Sequence, residues 1–466
     1  MVAEGKWWVS ASTSTRKAAS QGRIADYNQT VILDAVRRSI DGVSRVELAA
    51  ATGLSAQAVT NIVRQLMAAG LITEGRRAPI ARGKPRTLLH LNPQGQYAIG
   101  VHLDPAVITY VILNLVGETL AHARYTTPAH PDPDEVTASS AARIEELITE
   151  AEISRDKIVG LGIAAPGPID VDRGVIVDPP NLEGWQDVPL RDALRDAVGL
   201  PVLLDKDVTA AAAAEKWYGG VGNFLFFYLG TGVGAGLVIN NEVFRGPTHN
   251  SGQIGNMIIA NEGIPCPCGY RGCLGESSQP RMLVHLGVTN GGLDHDVDLD
   301  DRPQVEAALV ELADRALHGN EAAREVLDTM VRGVLKACED IALLLDLDHV
   351  VFGGPHWTTL SPFFSTQRLA EFRRRHGIAV DPPVDDLRNQ DRRGCRRRRS
   401  GQPRSRPYVL DQPGRTVGQL IPPDPTTRRP CTATHQPGSI LYFFPNSASR
   451  STPRSAIPTS RRCSPG

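Results

Sequence analysis

The chain has 466 residues, 41% of them hydrophobic, which gives room for about three globular domains. No apolar run is long enough for a signal peptide or a bilayer span, so we expect a cytoplasmic protein with no membrane partner. The formal net charge is −1, but the charge is unevenly distributed: residues 1–92 are basic, with 13 Lys+Arg against six Asp+Glu.

The first residues divide into a leader and a helix. Residues 1–22 are rich in Ser, Thr, Ala and Lys, and we expect them to be disordered. A helix is predicted over 28–40, where apolar residues from Ile32 to Ile40 recur on one face. We take this helix as the start of a domain that covers residues 23–92.

The rest of this domain has the pattern of a winged helix-turn-helix. Ser44 and Glu47 fit a capping box that opens a short helix. Gly53 supplies the tight turn, and Ser55 caps a second helix. The apolar side of the second helix runs from Val59 to Met67 at helical spacing. Its opposite side carries Gln57, Thr60, Asn61 and Arg64.

This polar face suits the reading of DNA. Short hydrogen-bonding side chains with a single arginine match what base edges in a major groove require. Two short strands, 71–73 and 87–91, then bracket a basic loop that would contact phosphate or the minor groove. The basic residues of this wing are Arg76, Arg77, Arg82, Lys84 and Arg86.

The alternative interpretation of this domain is a small helical unit with a solvated polar face and a basic loop. The cap, the turn glycine, the polar face and the wing occur together, and this combination favours binding to double-stranded DNA.

Residues 97–125 follow as three predicted strands in a meander. Beyond them, predicted strands alternate with predicted helices, which indicates an α/β architecture in two lobes with a cleft between them. The strands are predicted at 158–163, 202–204, 224–229 and 350–352, and the helices at 134–151, 210–217, 305–317 and 321–345.

Five motifs in this region, taken in order, resemble the ROK family, which groups sugar-sensing transcriptional repressors with sugar kinases. The resemblance implies an actin-like (ribonuclease H-like), two-lobed sensor domain, here over residues 93–386. The motifs are APGPID at 165–170, PNLEGW at 180–185, LGTGVGAG at 229–236, SGQIGN at 251–256 and CPCGYRGC at 266–273.

The kinase features are incomplete. The glycine-rich loop 230–234 could turn backbone amides toward a phosphate, or it could form a plain hairpin. A kinase of this family would also have an Asp-x-Gly-Gly-Thr-like loop, but residues 102–106 read HLDPA, and Pro105 removes an amide donor. Asp207 matches the family's catalytic base, and it could instead cap the following helix. We predict a vestigial base position and no catalysis.

The sugar pocket implied by the resemblance also departs from the family. Asn181 matches a sugar contact, but Lys206 stands where Asn is implied, and Gln253 and Gly275 stand where Glu is implied. Lys206 could pair with an acidic ligand or with a neighbouring Asp. We hypothesise that the effector differs from a plain hexose or is no longer bound. The candidate ligand-binding residues are Asn181, Lys206, Asp207, Gln253 and Asn256.

Three cysteines share one tight loop: Cys266, Cys268 and Cys273. This spacing lets three thiols face one tetrahedral ion, and we predict structural zinc that braces the loop carrying Gln253. The resemblance implies a fourth ligand, His, at the position of Asn256, and Asn is a poor zinc ligand. His249, Glu276 or water could complete the shell. The alternative is three reduced, buried thiols.

Past Asp386 the hydrophobic periodicity stops. Residues 388–466 carry 16 Arg, three Asp and no Lys or Glu. This 387–466 tail is either a disordered basic extension or the product of a shifted reading frame, and we favour the second because an out-of-frame GC-rich gene encodes such a composition. The resemblance ends here, before the last strand and closing helix of the family.

The sequence therefore predicts a repressor. We expect it to bind a palindromic operator as a homodimer or a dimer of dimers, and to respond to a sugar or a sugar derivative. One alternative is an ATP-dependent sugar kinase with an accessory DNA module. Another is a partly unfolded relic of a frameshifted gene.

Overall fold

The computed structural model describes residues 21–39, 41–78, 86–128, 130–219, 222–260 and 263–381. The predicted tail and most of the predicted leader lie outside the described residues, as do Arg82 and Lys84. Within the described ranges, no helix combines the length and the apolar character needed to pass through a bilayer.

The N-terminal domain is a winged helix around one small apolar core. The Ser44 hydroxyl accepts the Glu47 N–H, while the Glu47 carboxylate accepts the Ser44 N–H, so the predicted capping box is present. Leu48, Val63 and Leu89 are buried to 0% exposure and hold the helices on the hairpin. The elements are α1 (Gln21–Arg38), α2 (Arg45–Thr52), α3 (Ala56–Ala68), β1 (Ile72–Ala78) and β2 (Arg86–Leu91).

The first helix differs from its prediction. It begins at Gln21, inside the segment predicted as a leader, and it ends at Arg38 rather than at residue 40. Ile32 and Val36 are buried as predicted. The apolar pattern marks the turns of α1 that pack on the core, so it could not locate the preceding turns.

A first lobe, residues 97–206, is built on a five-stranded sheet in the order β5-β4-β3-β6-β9. β3, β4 and β5 are antiparallel, whereas β6 and β9 run parallel to β3. Trp185 is fully buried in this core, and its indole N–H donates to the Pro131 carbonyl at 2.7 Å. The elements are β3 (Tyr97–Leu103), β4 (Val107–Asn114), β5 (Thr119–Thr126), α4 (Pro133–Glu150), β6 (Ile158–Ala165), β7 (Ile169–Asp170), β8 (Val175–Ile176), α5 (Leu190–Val198) and β9 (Val202–Lys206).

A second lobe, residues 207–381, contains a sheet in the order β12-β11-β10-β13-β14. Its core packs the buried strand β10 and Phe352 against the long helix α10. The elements are α6 (Asp207–Gly219), β10 (Phe224–Leu229), β11 (Val233–Ile239), β12 (Glu242–Phe244), α7 (Leu274–Ser278), α8 (Pro280–Thr289), α9 (Arg302–Leu317), α10 (Glu321–Leu345), β13 (His349–Gly353), α11 (Trp357–Leu360), α12 (Thr366–His376) and β14 (Ala379–Asp381).

The two sheets share one topology. In each, three consecutive strands form an antiparallel meander, and two later strands are added in parallel beside the first strand. This repeated arrangement confirms the predicted α/β, actin-like (ribonuclease H-like) fold behind a winged helix. Two further helix starts were wrong by three residues: α6 begins at Asp207, not at Ala210, and α9 begins at Arg302, not at Val305. Asp207 is thus the first residue of the helix rather than a cap before it.

The capping box of α2 gives a testable expectation. Ser44→Ala removes the side-chain acceptor for the Glu47 N–H, and such a loss costs about 1 kcal/mol of helix stability. We expect α2 amides to exchange with solvent about fivefold faster in the full-length variant. Val46→Ala, at a 63% exposed position on the same helix, removes no capping contact and should not speed exchange, because alanine favours helix more than valine does. Equal rates in the two variants would show that the box contributes nothing.

Candidate DNA interface and sensor cleft

The outer face of α3 is polar and exposed, as the sequence predicts. The Ser55 hydroxyl accepts the Ala58 N–H at 3.2 Å and so caps the helix. Gln57 donates to Asn61 at 3.2 Å, and both side chains are exposed, as is Arg64. The Thr60 hydroxyl of the same face, half-buried, donates to the carbonyl of the preceding turn at 2.7 Å. The buried stripe on the opposite side fixes which way this face points.

The wing is a β-hairpin in which β1 and β2 pair antiparallel from Ile72↔Leu91 to Ala78↔Arg86. Arg86 is exposed at the start of β2, and its guanidinium lies 3.3 Å from the Glu47 carboxylate. The first strand is longer than predicted: β1 runs to Ala78, so Arg76 and Arg77 lie within the strand rather than in the loop, whereas Arg82 and Lys84 lie outside the described residues. Arg86 thus has one guanidinium nitrogen paired with a carboxylate of the protein and remains exposed.

Two predicted ligand residues, Lys206 and Asp207, lie where β9 passes into α6. The Lys206 ammonium is buried, and burial lowers its pKa, although the charge of Asp207 acts in the opposite direction and raises it. Its Nζ donates to the Ser251 carbonyl at 3.1 Å, and no carboxylate of the described residues lies within 4.0 Å of it. Burial raises the pKa of Asp207, whose carboxylate accepts the Val208 N–H at 2.7 Å.

The other predicted ligand residues are exposed. Asn181 contributes its backbone carbonyl to an Arg302 guanidinium nitrogen at 2.9 Å. Gln253 lies two residues after the carbonyl that accepts from Lys206. Among the described residues, no hydrogen bond joins the side chains of Asn181, Gln253 and Asn256 to Asp207. The structure brings Lys206 and the 251–253 segment together and leaves Asn181 on another loop.

A carboxylate that the sequence analysis did not select joins the two lobes. Asp104 is 4% exposed, and its carboxylate accepts the Ala106 N–H at 2.8 Å. Across the cleft, the Thr231 hydroxyl of the glycine-rich loop lies 3.3 Å away and the Tyr228 hydroxyl 3.5 Å away. A negative side chain therefore occupies the neighbourhood in which a kinase would hold a phosphate.

A cavity of about 230 Å³ opens beside this contact. His102, Thr109 and Arg124 line it from one cross-strand row, because they are direct partners on β3, β4 and β5. Tyr228 and Gly354 line it from the second lobe. Only the motif around residue 102 pointed to this place, because the other lining residues belong to no motif.

Glu306 and His356 add two more titratable groups to the cleft. Burial, and then the charge of Asp104, raise the pKa of the Glu306 carboxyl to about 7. Burial also lowers the pKa of His356, whose Nε2 lies 3.4 Å from the Glu306 carboxylate without forming a hydrogen bond. Burial therefore favours the uncharged form of both groups in this contact over an ion pair.

The cysteine cluster could hold a metal ion. The three sulfur atoms of Cys266, Cys268 and Cys273 lie within 4.8 Å of one another, and the last two are 3.5 Å apart. A Cβ at Gly272 would lie 1.8 Å from the Ala260 carbonyl, so this tight loop requires glycine there. Three thiolates suit a soft ion such as zinc.

Among the described residues, no fourth His, Cys, Asp or Glu ligand atom lies with the three cysteine sulfur atoms. Neither His249 nor Glu276 joins the cluster within 4.8 Å, and Glu276 instead accepts from Gln279 at 2.8 Å. The loop does contact the segment that follows Gln253, because Cys273 pairs with Ile258 in an isolated β-bridge and the Ile259 N–H donates to the Gly272 carbonyl at 2.9 Å. Asn256 is exposed within this segment.

Comparisons with known proteins agree with this architecture. The model of the ROK family matches residues 98–357, more than half of the chain, and that of the MarR family matches residues 26–82. The putative xylose repressor of Caldicellulosiruptor sp. (strain Rt8B.4) is 28% identical over 338 residues, 71% of this chain and 83% of that protein. The glucokinase of Halalkalibacterium halodurans is 30% identical over 268 residues, 56% of this chain and 80% of that protein.

Among solved structures, one described as a ROK family transcriptional regulator, homolog of the E. coli MLC protein, has a similar fold. It matches with a TM-score of 0.62 at 24% identity, and the match covers 77% of this chain and 91% of that one.

The raised pKa of Glu306 predicts a pH effect on stability. Between the ordinary carboxyl pKa of 4.5 and about 7, Glu306 keeps its proton in the folded chain and loses it in the unfolded chain. The folded state then binds more protons, so the free energy of unfolding falls as pH rises through this window. In Glu306→Gln, the melting temperature measured between pH 4.5 and 8 should therefore lose the fall with rising pH that the Glu306 carboxyl causes.

Asp104→Asn separates the effect of burial from the effect of the Asp104 charge. It removes only the charge, so the pKa of Glu306 should fall part of the way toward 4.5, and the pH range over which stability changes should become narrower. If wild type and Glu306→Gln show the same pH dependence, the Glu306 carboxyl is not perturbed.

Proposed function

This chain belongs to the ROK family, and from that membership we propose that it is a DNA-binding transcriptional repressor with a sugar-sensing domain. The observation that carries the proposal is the exposed polar face of α3, held by a capped winged helix in front of the two lobes. The similarity to a xylose repressor over 71% of the chain supports it. A repressor acts where its operator lies, so we place the protein in the cytoplasm.

In this proposal α3 enters the major groove of a double-stranded operator. Gln57, Asn61 and Arg64 would contact base edges, with Ser55 and Thr60 beside them. The wing would contact the DNA backbone through Arg82, Lys84 and Arg86. Binding as a homodimer, or as a dimer of dimers, would place two recognition helices on the halves of a palindrome.

The sensor domain, in our proposal, has lost catalysis. A nucleotide phosphate beside the glycine-rich loop would meet the buried Asp104 carboxylate, and Pro105 offers no N–H to hold it. Asp207 keeps the position of a catalytic base and would serve as a ligand contact.

The second candidate function is a sugar kinase with an accessory DNA module. The retained Asp207 and the similarity to a glucokinase favour it, and a coupled assay of ATP consumption with sugar separates the two functions.

We propose that the effector is an acidic sugar rather than a plain hexose. The Lys206 ammonium is buried with one backbone acceptor, so its remaining donors would be satisfied by an anionic group of the ligand. Gln253 would hold a hydroxyl without a full charge. Asn181 and Asn256 complete the set of candidate contacts.

Substitutions of two basic residues test the DNA interface. Arg64→Ala should weaken operator binding about tenfold and leave binding to random duplex nearly unchanged, because a base contact carries sequence discrimination. Lys84→Ala should weaken both duplexes alike and lower the salt slope by about one, because a phosphate contact carries none. Fluorescence anisotropy at several salt concentrations measures both effects.

Gln65→Ala serves as the matched control for Arg64→Ala. Gln65 is exposed on α3, but it faces α1, where it accepts from Gln29 at 3.2 Å. Its removal should leave both affinities unchanged. Equal losses on operator and random DNA for Arg64→Ala and Lys84→Ala would contradict the proposed division of roles.

We further propose that Cys266, Cys268 and Cys273 hold a structural zinc ion, with water as the fourth ligand. Protein purified without chelator should contain one equivalent of zinc, and Cys268→Ser should lose it and melt at a lower temperature. Cys338→Ala, at a buried thiol outside the cluster, should retain the metal. Elemental analysis decides, since wild type with well under one equivalent would remove the site.

A further inference from the structure

The winged helix contacts the second lobe through Arg37, in the last turn of α1. Its guanidinium carbon lies 4.0 Å from the centroid of the Trp217 ring, and its Nη1 donates to the Trp217 carbonyl at 2.6 Å. Asp34, one turn earlier, accepts from the Nε at 3.1 Å and from the Nη2 at 2.8 Å. The arginine side chain is 17% exposed. Asp34 thus fixes the plane of the guanidinium that stacks on the tryptophan.

The next residue of α6 contacts the first lobe. The Tyr218 hydroxyl donates to the carbonyl of Gly117, in the turn between β4 and β5. Leu115, in the same turn, packs against the core of the winged helix, and its N–H donates to the Pro93 carbonyl at 3.4 Å. The end of α6 therefore meets the winged helix on one side and the first lobe on the other.

Helix α6 connects this junction to the predicted ligand site. It begins at Asp207, and Trp217 lies ten residues further along, a distance of about 15 Å in a helix. A Cβ at Gly236 of β11 would lie 2.3 Å from the Val208 carbonyl and 2.6 Å from the Ala212 side chain. Because the helix rests directly on the backbone of β11, the two elements move together.

We propose that the Arg37–Trp217 pair is the joint through which the sensor domain sets the orientation of the winged helix, with α6 as the connecting element. This inference rests on the proposed repressor function and specifies its regulation. With the pair formed, the two recognition helices of a dimer hold the spacing of the operator halves. An effector that shifts the lobes moves α6, withdraws Trp217 from Arg37 and releases that spacing.

The test compares full-length variants on a selected operator duplex and on random duplex. Arg37→Lys keeps the positive charge but cannot bind Asp34 and Trp217 at the same time. It should lower operator affinity about fivefold and leave the affinity for random duplex unchanged. A fivefold loss is what we expect from removing one partly buried cation–π contact and its hydrogen bond. Trp217→Leu should do the same, and the double variant should be no weaker than either single variant.

Arg38→Gln is the matched control. Arg38 lies on the same turn and contacts Asp34 at 2.8 Å, but its guanidinium is not stacked on Trp217. Losing its charge should change binding to both duplexes equally. A melting curve for each variant checks that the fold is retained.

The possible results distinguish a failure of the proposed Arg37–Trp217 joint from a failure of the proposed repressor function. If wild type prefers its operator and Arg37→Lys binds it equally well, the joint is wrong and the repressor function stands. If the Arg37 and Trp217 variants lose affinity equally on both duplexes, or their losses add, the contact has no orienting role. A wild-type protein with no sequence preference would remove the proposed function, and the joint with it.

Discussion

The buried carboxylate of Asp104 is the constraint on which the rest of the sensor domain depends. It accepts from its own turn and from the Thr231 and Tyr228 hydroxyls, so one side chain of the first lobe holds the glycine-rich loop of the second. Because an unpaired buried charge is costly, these donors must stay in place. Burial and this charge together raise the pKa of Tyr228, which keeps its phenol protonated as a donor.

A lobe contact of this kind changes what the fold can do. In a kinase of this architecture the cleft must admit a nucleotide, but here protein groups bridge it. Arg302 adds to the bridge, because its guanidinium donates to the carbonyls of Pro105 and Asn181 in the first lobe. In the proposed function, the cleft would keep the lobe movement of a kinase, while Asp104 occupies the place of a phosphate. The winged helix rests on the helix that would carry this movement.

Local features were predictable from the sequence because their causes are local. The Ser44 and Ser55 caps, the exposed face of α3 and the full length of α10 all follow from spacing within a few turns. The contacts that join the parts were not predictable. Asp104 and Thr231 are 127 positions apart, and Arg37 and Trp217 are 180 apart, so only the tertiary fold brings each pair together. The high pKa of Glu306 likewise arises from tertiary burial.

In the proposed function, the winged helix reads a DNA sequence, and the two lobes behind it adjust operator affinity in response to a sugar. Selection of fragments from a random duplex pool by the full-length protein, with and without D-xylose, D-glucose or D-glucuronate, tests it most directly. The account predicts enrichment of one palindrome without sugar and loss of that enrichment with the acidic sugar. A pool that stays random under every condition would contradict it.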